Sequence, residues 1–327
     1  MSQRRTFLKT AGAVGIAGLF AGCTGNTDNN NDGGGGDTDD GTPTATKTPV
    51  PYGNGEVNFV MSPSEPQDLM EKQYQPIKEY LNEQTGLPTT LKYARNYSAV
   101  LQAMGSGTAD IAETGPFAAA LGVKADKADI ALQRYAYGSW EYTSVIVTKE
   151  SSDINSLSDL KGKTVGFADR LSASGALFPL YMLKQAGLKV GGYPQEQGSA
   201  NFEATFSGHA QAFEQLANDQ VAAAGVGQFI TLNDDRNLKD GYEYVKTYDG
   251  IPRAPIVTSP ELSDEEQNEL VNALKDAPDS MYLGADGEEG TDDDLWFSDV
   301  RPADVEKYQP VIDVANELGI ETEYLDS

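Results

Sequence analysis

From Val57 onward the chain alternates between short runs of apolar, often β-branched residues and longer stretches with apolar side chains every three or four positions. The first pattern predicts strands and the second predicts amphipathic helices. Val57 to Met61 reads as a strand, followed by a loop at Ser62-Pro63-Ser64-Glu65-Pro66. Residues 67 to 84 place Leu69, Tyr74, Ile77, Tyr80 and Leu81 at helical spacing, and Gly86 ends that helix. Thr89 to Tyr93 is a second strand. Ser98 is expected to cap a helix through Met104, with Val100, Leu101 and Met104 on one face. Ala109 to Ala112 is a short strand, Gly115-Pro116 a turn before another helix, and Thr143 to Thr148 a β-branched strand. The alternation continues with a strand at Thr164 to Ala168, a helix from Ser174 to Ala186 stopped by Gly187, and a helix from about His209 to Asn218. Strands follow at Val221 to Val226 and Tyr242 to Tyr248, and Ile251-Pro252-Arg253-Ala254-Pro255 breaks the pattern. Two helices come last: Ser263 to Leu274, opened by a capping box at Ser263 and Glu266, and Ala303 to Leu318. Strands alternating with helices predict an α/β fold with a largely parallel sheet.

The first 54 residues have a different texture. Arg4-Arg5-Thr6-Phe7-Leu8-Lys9 precedes an Ala/Gly-rich apolar stretch over residues 10 to 21, and Leu19-Phe20-Ala21-Gly22 stands before Cys23, the only cysteine. This order resembles a twin-arginine export signal ending in a lipoprotein cleavage box, with Phe20 where such boxes usually carry Leu. The apolar stretch is too short to span a bilayer, which takes about 20 apolar residues. The expectation is a signal over 1–22 and a lipidated, flexible tether over 23–54, whose Thr, Asn, Asp and Gly have almost nothing apolar to bury. Such a protein lies outside the cell, anchored to the cytoplasmic membrane by lipid on Cys23.

Charge narrows the class further. Fifty acidic residues against 24 basic ones give a net charge of −26. A nucleic-acid binder needs a basic surface to release counterions from phosphates, so that class is excluded. So acidic a surface resembles the proteins of extreme halophiles and points to a haloarchaeal source, where salt screens the repulsion between carboxylates. With Cys23 used for the anchor, no disulfide can form within the chain. About 275 residues follow the tether, enough for one large or two medium domains.

Two segments carry the candidate chemistry. Asp169-Arg170-Leu171-Ser172-Ala173-Ser174-Gly175 lies between a strand and a helix, and Phe206-Ser207-Gly208-His209 opens another helix with the only histidine. Each offers hydroxyls and unpaired backbone N–H groups at a helix N-terminus, where the helix dipole also favours an anion. Converging on one cleft, the two would hold a tetrahedral oxyanion without Lys or Arg. Each segment alone also fits an ordinary N-cap.

These segments bring out a family resemblance. With Pro63-Ser64-Glu65, Asn96 to Val100, Asp110-Ile111-Ala112, Gly115-Pro116, Tyr142-Thr143-Ser144, Leu157 to Lys163 and Ile251-Pro252, the chain resembles the phosphate/phosphonate-type substrate-binding lipoproteins of ABC transporters, the phosphonate-binding PhnD-like family. The resemblance implies a type II periplasmic-binding fold, with two α/β lobes joined by crossing hinge strands: 55–145 plus 249–327, and 146–248. It implies that Tyr97, Tyr142, Ser172, Ala173, Ser174, Gly175, Ser207 and His209 surround the ligand. It also implies an ABC permease/ATPase complex as partner, a monomer, no metal or other cofactor, and no catalysis.

The departures from the family pattern are informative. Ala173 replaces a hydroxyl residue, and Phe229, Ala254 and Ala222 stand where members that take aminoalkylphosphonates place acids. Burying an ammonium without a carboxylate is costly. The expected ligand is therefore phosphate, phosphite or a simple phosphonate rather than 2-aminoethylphosphonate. Protonation of His209 would strengthen binding of a dianion as pH falls toward 6. Arg253, beside the expected hinge, could serve an anion or a surface ion pair, and Trp140 could line the cleft mouth or pack. Two rival roles use the same residues: a receptor feeding a membrane signal transducer, and a hydrolase using Ser172 or Ser174 with His209. No Gly-x-Ser-x-Gly elbow supports the hydrolase. Asn96-Tyr97-Ser98 is a glycosylation sequon expected to be unmodified, and the acidic run Asp286 to Asp294 lacks the spacing of an EF-hand calcium loop.

Overall fold

Two mixed β-sheets organise the described residues, 55–193 and 198–320 of a computed structural model. Arg4, Arg5 and Cys23, with the signal and tether expected over 1–54, lie outside them. In chain order the strands are β1 (Val57–Met61), β2 (Thr89–Tyr93), β3 (Ile111–Glu113), β4 (Asp129–Tyr135), β5 (Glu141–Lys149) and β6 (Thr164–Phe167). They continue with β7 (Glu203–Phe206), β8 (Ala223–Gly227), β9 (Tyr242–Pro252), β10 (Pro255–Thr258) and β11 (Asp299–Pro302). The helices are α1 (Gln67–Gln73), α2 (Gln75–Thr85), α3 (Tyr97–Gly105), α4 (Pro116–Lys124), α5 (Phe178–Gln185), α6 (His209–Ala217), α7 (Asp264–Lys275) and α8 (Gln309–Leu318).

The first sheet has the order β11-β4-β10-β3-β1-β2 and the second β7-β6-β8-β5-β9. Parallel pairs form where a helix carries the chain back: β1 with β2 and β3, and β6 with β7 and β8. The chain crosses between sheets twice, from β4 to β5 and from β9 to β10. Each incoming strand runs antiparallel to its neighbours, β5 against β8 and β10 against β3. The largely parallel sheet expected from the alternation is therefore two mixed sheets.

Side-chain alternation assigns the core. In β1, Val57, Phe59 and Met61 face one buried cluster with Met70, Tyr74 and Ile77, while Val60 faces another. In β5, Val145 and Val147 pack with Phe213 and Leu216, and Ile146 faces the opposite way. Each sheet is thus covered on both faces, which needs the period-two pattern to be apolar on both sides.

Several local features depart from the sequence reading for identifiable reasons. The expected single helix over 67–84 breaks at Tyr74, because Pro76 in the first turn of α2 cannot accept a place in the interior of a continuing helix. The cap of α3 is Asn96, whose Oδ1 accepts from the Ala99 N–H at 2.8 Å, and not Ser98. The same bond engages the side chain of the sequon. The Ile251-Pro252 segment, read as a break, completes β9 by pairing with Tyr142 and Glu141. The Ser263–Glu266 capping box forms as expected. In the acidic loop, Asp286, Asp293 and Asp294 accept hydrogen bonds from the loop's own N–H groups, and no cluster of acids or histidines suited to a metal occurs among the described residues.

Candidate functional site

The carboxyl ends of the parallel strands face one cleft, the place where open α/β sheets bind ligands. The loop after β1 brings Ser62, Ser64 and Glu65; that after β3 brings Thr114, Gly115 and Pro116; that after β6 brings Ser172, Ala173 and Ser174; that after β8 brings Phe229. The crossing segments add Tyr137, Tyr142, Arg253 and Ala254. The cavity is about 90 Å³ and adjoins a second chamber of about 420 Å³, lined by Arg95, Asp169 and Ser207 among others; Ser64, Glu65, Tyr97 and His209 border both.

Four helical segments begin on this cleft. Tyr97 opens α3, Pro116 opens α4, His209 opens α6, and Ala173 opens a π turn (Ala173–Leu177) that runs into α5. The first turn of a helix has N–H groups without intrahelical acceptors. Two starts come from each sheet, so the positive ends of the dipoles meet from both sides. Gly115 permits the tight fit: a Cβ there would lie 3.1 Å from Cε1 of Tyr97. Gly175 does the same beside His209, where a Cβ would fall 2.7 Å from the ring.

His209 is buried and fully engaged. Its Nδ1 accepts from the Gly227 N–H at 3.0 Å, so in the neutral ring Nε2 carries the proton and donates to Ser172 Oγ at 3.1 Å. Ser172 Oγ also accepts from the Gly175 N–H at 3.1 Å. With both acceptor positions used, the Ser172 hydroxyl has one proton left to donate. Burial holds the imidazole down at about 4, and protonating Nδ1 would set a donor against the Gly227 N–H. The expected protonation toward pH 6 is therefore corrected: His209 is neutral there and aims Ser172. The same tautomer is wrong for a hydrolase, because Nε2 has no lone pair to accept a proton from Ser172.

The remaining expected residues divide. Tyr97, Tyr142, Ser172, Ala173, Ser174 and His209 line the first chamber together. Burial, then Glu113, pushes the Tyr97 phenol well above its ordinary value, and burial raises Tyr142 to about 12 despite its contacts with the Ser174 hydroxyl and N–H. Both are donors at any working pH. Ser207 lies in the second chamber, and the N–H of Gly175 is spent on Ser172. Asp169 accepts from the Leu171 N–H at 2.7 Å and meets the backbone N–H of Tyr97 across the cleft. Trp140 packs between Tyr135 and Arg301, and Trp296 lines the cleft instead.

The sequence reading missed three charged residues on the wall. Glu113 and Arg134 form a buried ion pair at 2.9 Å. Glu65 has a buried Oε2 without a hydrogen-bond partner among the described residues, and burial pushes its carboxyl up. The inference that no acid is available to an ammonium therefore does not hold in that form. Phe229 and Ala254 do line the cleft, but so does Glu65. The signal was present in Pro63-Ser64-Glu65, whose orientation depends on where β1 ends.

Residues 59–308 match the family described as ABC transporter, phosphonate, periplasmic substrate-binding protein. The chain belongs to that family. Among curated relatives of this family member, the phosphate-import protein PhnD of Mycolicibacterium smegmatis is 29% identical over 192 residues, covering 57% of this chain and 60% of that protein. The phosphonates-binding periplasmic protein of Escherichia coli is 28% identical over 208 residues, covering 62% and 58%. The chain thus spans about three fifths of the length of these relatives. The crystal structure of a binding protein component of an ABC phosphonate transporter from Pseudomonas aeruginosa superposes with a TM-score of 0.66, at 24% identity over 81% of this chain and 86% of that one. The fold is accordingly the type II periplasmic-binding fold, as expected.

Proposed function

We propose that this chain is the extracytoplasmic solute-binding component of an ABC importer and captures a phosphate-, phosphite- or phosphonate-type oxyanion between two lobes. The observation that carries this reading is the convergence of four helical N-termini, two from each sheet, on one cleft that also holds the hydroxyls of Tyr97, Tyr142, Ser172 and Ser174. Preset N–H and O–H donors suit an acceptor-rich tetrahedral anion. Donors from both sides would favour the closed arrangement once ligand is bound, because only that arrangement engages all of them. The names of the two curated relatives, one for phosphate and one for phosphonates, support the ligand class.

The cavity fits a small ligand. One water needs about 10–15 Å³ on this volume measure. The cavity of about 90 Å³ therefore holds a tetrahedral anion with a short substituent. The proposed anchor is lipid on Cys23 after twin-arginine export through Arg4-Arg5, which puts the cleft within reach of a permease. Calorimetry in molar salt with phosphate, phosphite, methylphosphonate, 2-aminoethylphosphonate and sulfate tests the reading. Binding of at least one of the first three, without turnover of phosphoesters, is expected. Absence of binding by all of the phosphorus oxyanions, or hydrolysis of an ester, rejects it.

A further inference from the structure

Two arginines are buried in the cleft wall, and the protein answers the charge of only one. Arg134 spends its guanidinium on Glu113, the Tyr74 hydroxyl and the carbonyls of Thr114 and Ala254. Arg253, 8% exposed, makes one side-chain hydrogen bond, from Nε to the Ser139 carbonyl at 2.9 Å. Neither of its Nη atoms has a hydrogen-bond partner, and no carboxylate lies within ion-pair distance, among the described residues. Its charged neighbours are other cations, Arg236 and Arg134, and the rings of Tyr137 and Tyr142 lie 5.5 and 5.9 Å from its Cζ. The rings offset part of the cost of burial, but a largely buried guanidinium facing a cavity still lacks an anion.

We propose that Arg253 is a ligand-contacting residue that supplies the counter-charge for the bound oxyanion, its free fork taking two oxygens of a dianionic phosphorus group. This rests on the oxyanion reading above and adds to it a cation where the helix starts alone were expected to suffice. A guanidinium fork matches phosphate and phosphonate geometry, which an ammonium does not. The placement also links charge to the hinge. Arg253 follows β9, its N–H donates to the Trp140 carbonyl at 2.9 Å, and its carbonyl accepts from the Tyr308 hydroxyl at 2.8 Å. One residue therefore ties the two crossing segments together and faces the ligand. In a chain of net charge −26, such a local cation is what lets an anion enter the cleft.

The test is calorimetry on the purified protein in molar salt, at a pH where methylphosphonate is a dianion, with its monomethyl ester as the monoanion. The Arg253→Gln variant is expected to weaken methylphosphonate binding about 10- to 100-fold and to cut the preference for dianion over monoanion about tenfold. Arg253→Lys keeps the charge without the fork, so it should retain the preference while losing about three- to tenfold in affinity. Wild-type affinity in Arg253→Gln, or equal weakening of both ligands with an unchanged preference, overturns the proposal and leaves oxyanion binding standing. If Arg253→Gln does not fold, Arg253→Lys decides: a retained preference with about three- to tenfold weaker affinity supports the proposal, and wild-type affinity or a collapsed preference overturns it. A wild type that binds none of methylphosphonate, phosphate and phosphite overturns the oxyanion reading and this inference together.

Discussion

Arg134 in the wall of the first sheet and Arg253 between the crossing segments are both buried beside the same cavity, but their surroundings differ in kind. Around Arg134, Nε and both Nη atoms each meet a protein acceptor, and the Trp296 ring lies 4.4 Å from its Cζ. Around Arg253 the acceptors stop at one carbonyl. A saturated buried charge belongs to the folded state, because removing its partner strands it in low dielectric. An unsaturated one is a cost that folding bears and that a ligand can offset. The difference separates stability from binding on one wall, and each prediction below presses on that separation.

The largest effect is expected at the saturated pair. Glu113→Ala strands Arg134 and also removes the acceptor of the Ser62 N–H and hydroxyl, at 2.5 and 2.6 Å. Denaturant unfolding should show a loss of about 3–5 kcal/mol. A loss below about 1 kcal/mol would mean that the pair is not what holds this wall.

The next effect concerns pH. The folded-state value of His209 is depressed to about 4 from 6.5, so the group contributes stability that is present above pH 6.5 and lost as pH falls through 4. The full loss is roughly 3 kcal/mol. Burial raises the carboxyls of Glu65 and Asp169, which act in the opposite sense. The measurement is therefore the difference between the wild type and His209→Gln, whose unfolding profile should be flatter between pH 6.5 and 4. Affinity for a monoanionic ester should stay level between pH 8 and 6.5; a rise toward pH 6 that disappears in His209→Gln would restore the protonated ring.

At Arg253 the stability effect should be small. Arg253→Gln is expected to change unfolding free energy by less than about 1 kcal/mol, since it removes an unpaired charge along with one hydrogen bond. A loss approaching that of Glu113→Ala would place Arg253 with Arg134 as a structural cation. The smallest effect separates two candidate caps. Asn96→Ala should cost about 1 kcal/mol, and Ser98→Ala almost nothing, by thermal unfolding. Equal costs would return the cap of α3 to the position suggested by the sequence.

Much of the fold was legible along the chain because period-two and period-3.6 patterns are local. The strands at Val57, Thr89 and Thr143 and the capping box at Ser263 needed only neighbouring residues. Short strands such as β7, β10 and β11 were not legible. Their four residues carry too little pattern, and they exist because a partner strand supplies hydrogen bonds. At the site, Ser172 and Ser174 announced themselves as a hydroxyl-rich helix start, and their neighbourhood with Tyr97, Tyr142 and His209 followed from the resemblance. The acids and arginines of the wall did not, because a charged residue in sequence looks the same whether it is solvated or buried.

By itself the sequence determined the α/β alternation, the acidic balance and the helix starts rich in hydroxyls, all of which depend on residue type and spacing. Only the tertiary structure decided which tautomer His209 adopts, which serine hydroxyl has a proton left to donate, and which of two buried arginines lacks an anion. Those are questions of who lies within about 3 Å of whom. The answers come from β6, β8 and the crossing segments, which are distant in the chain and adjacent in the fold.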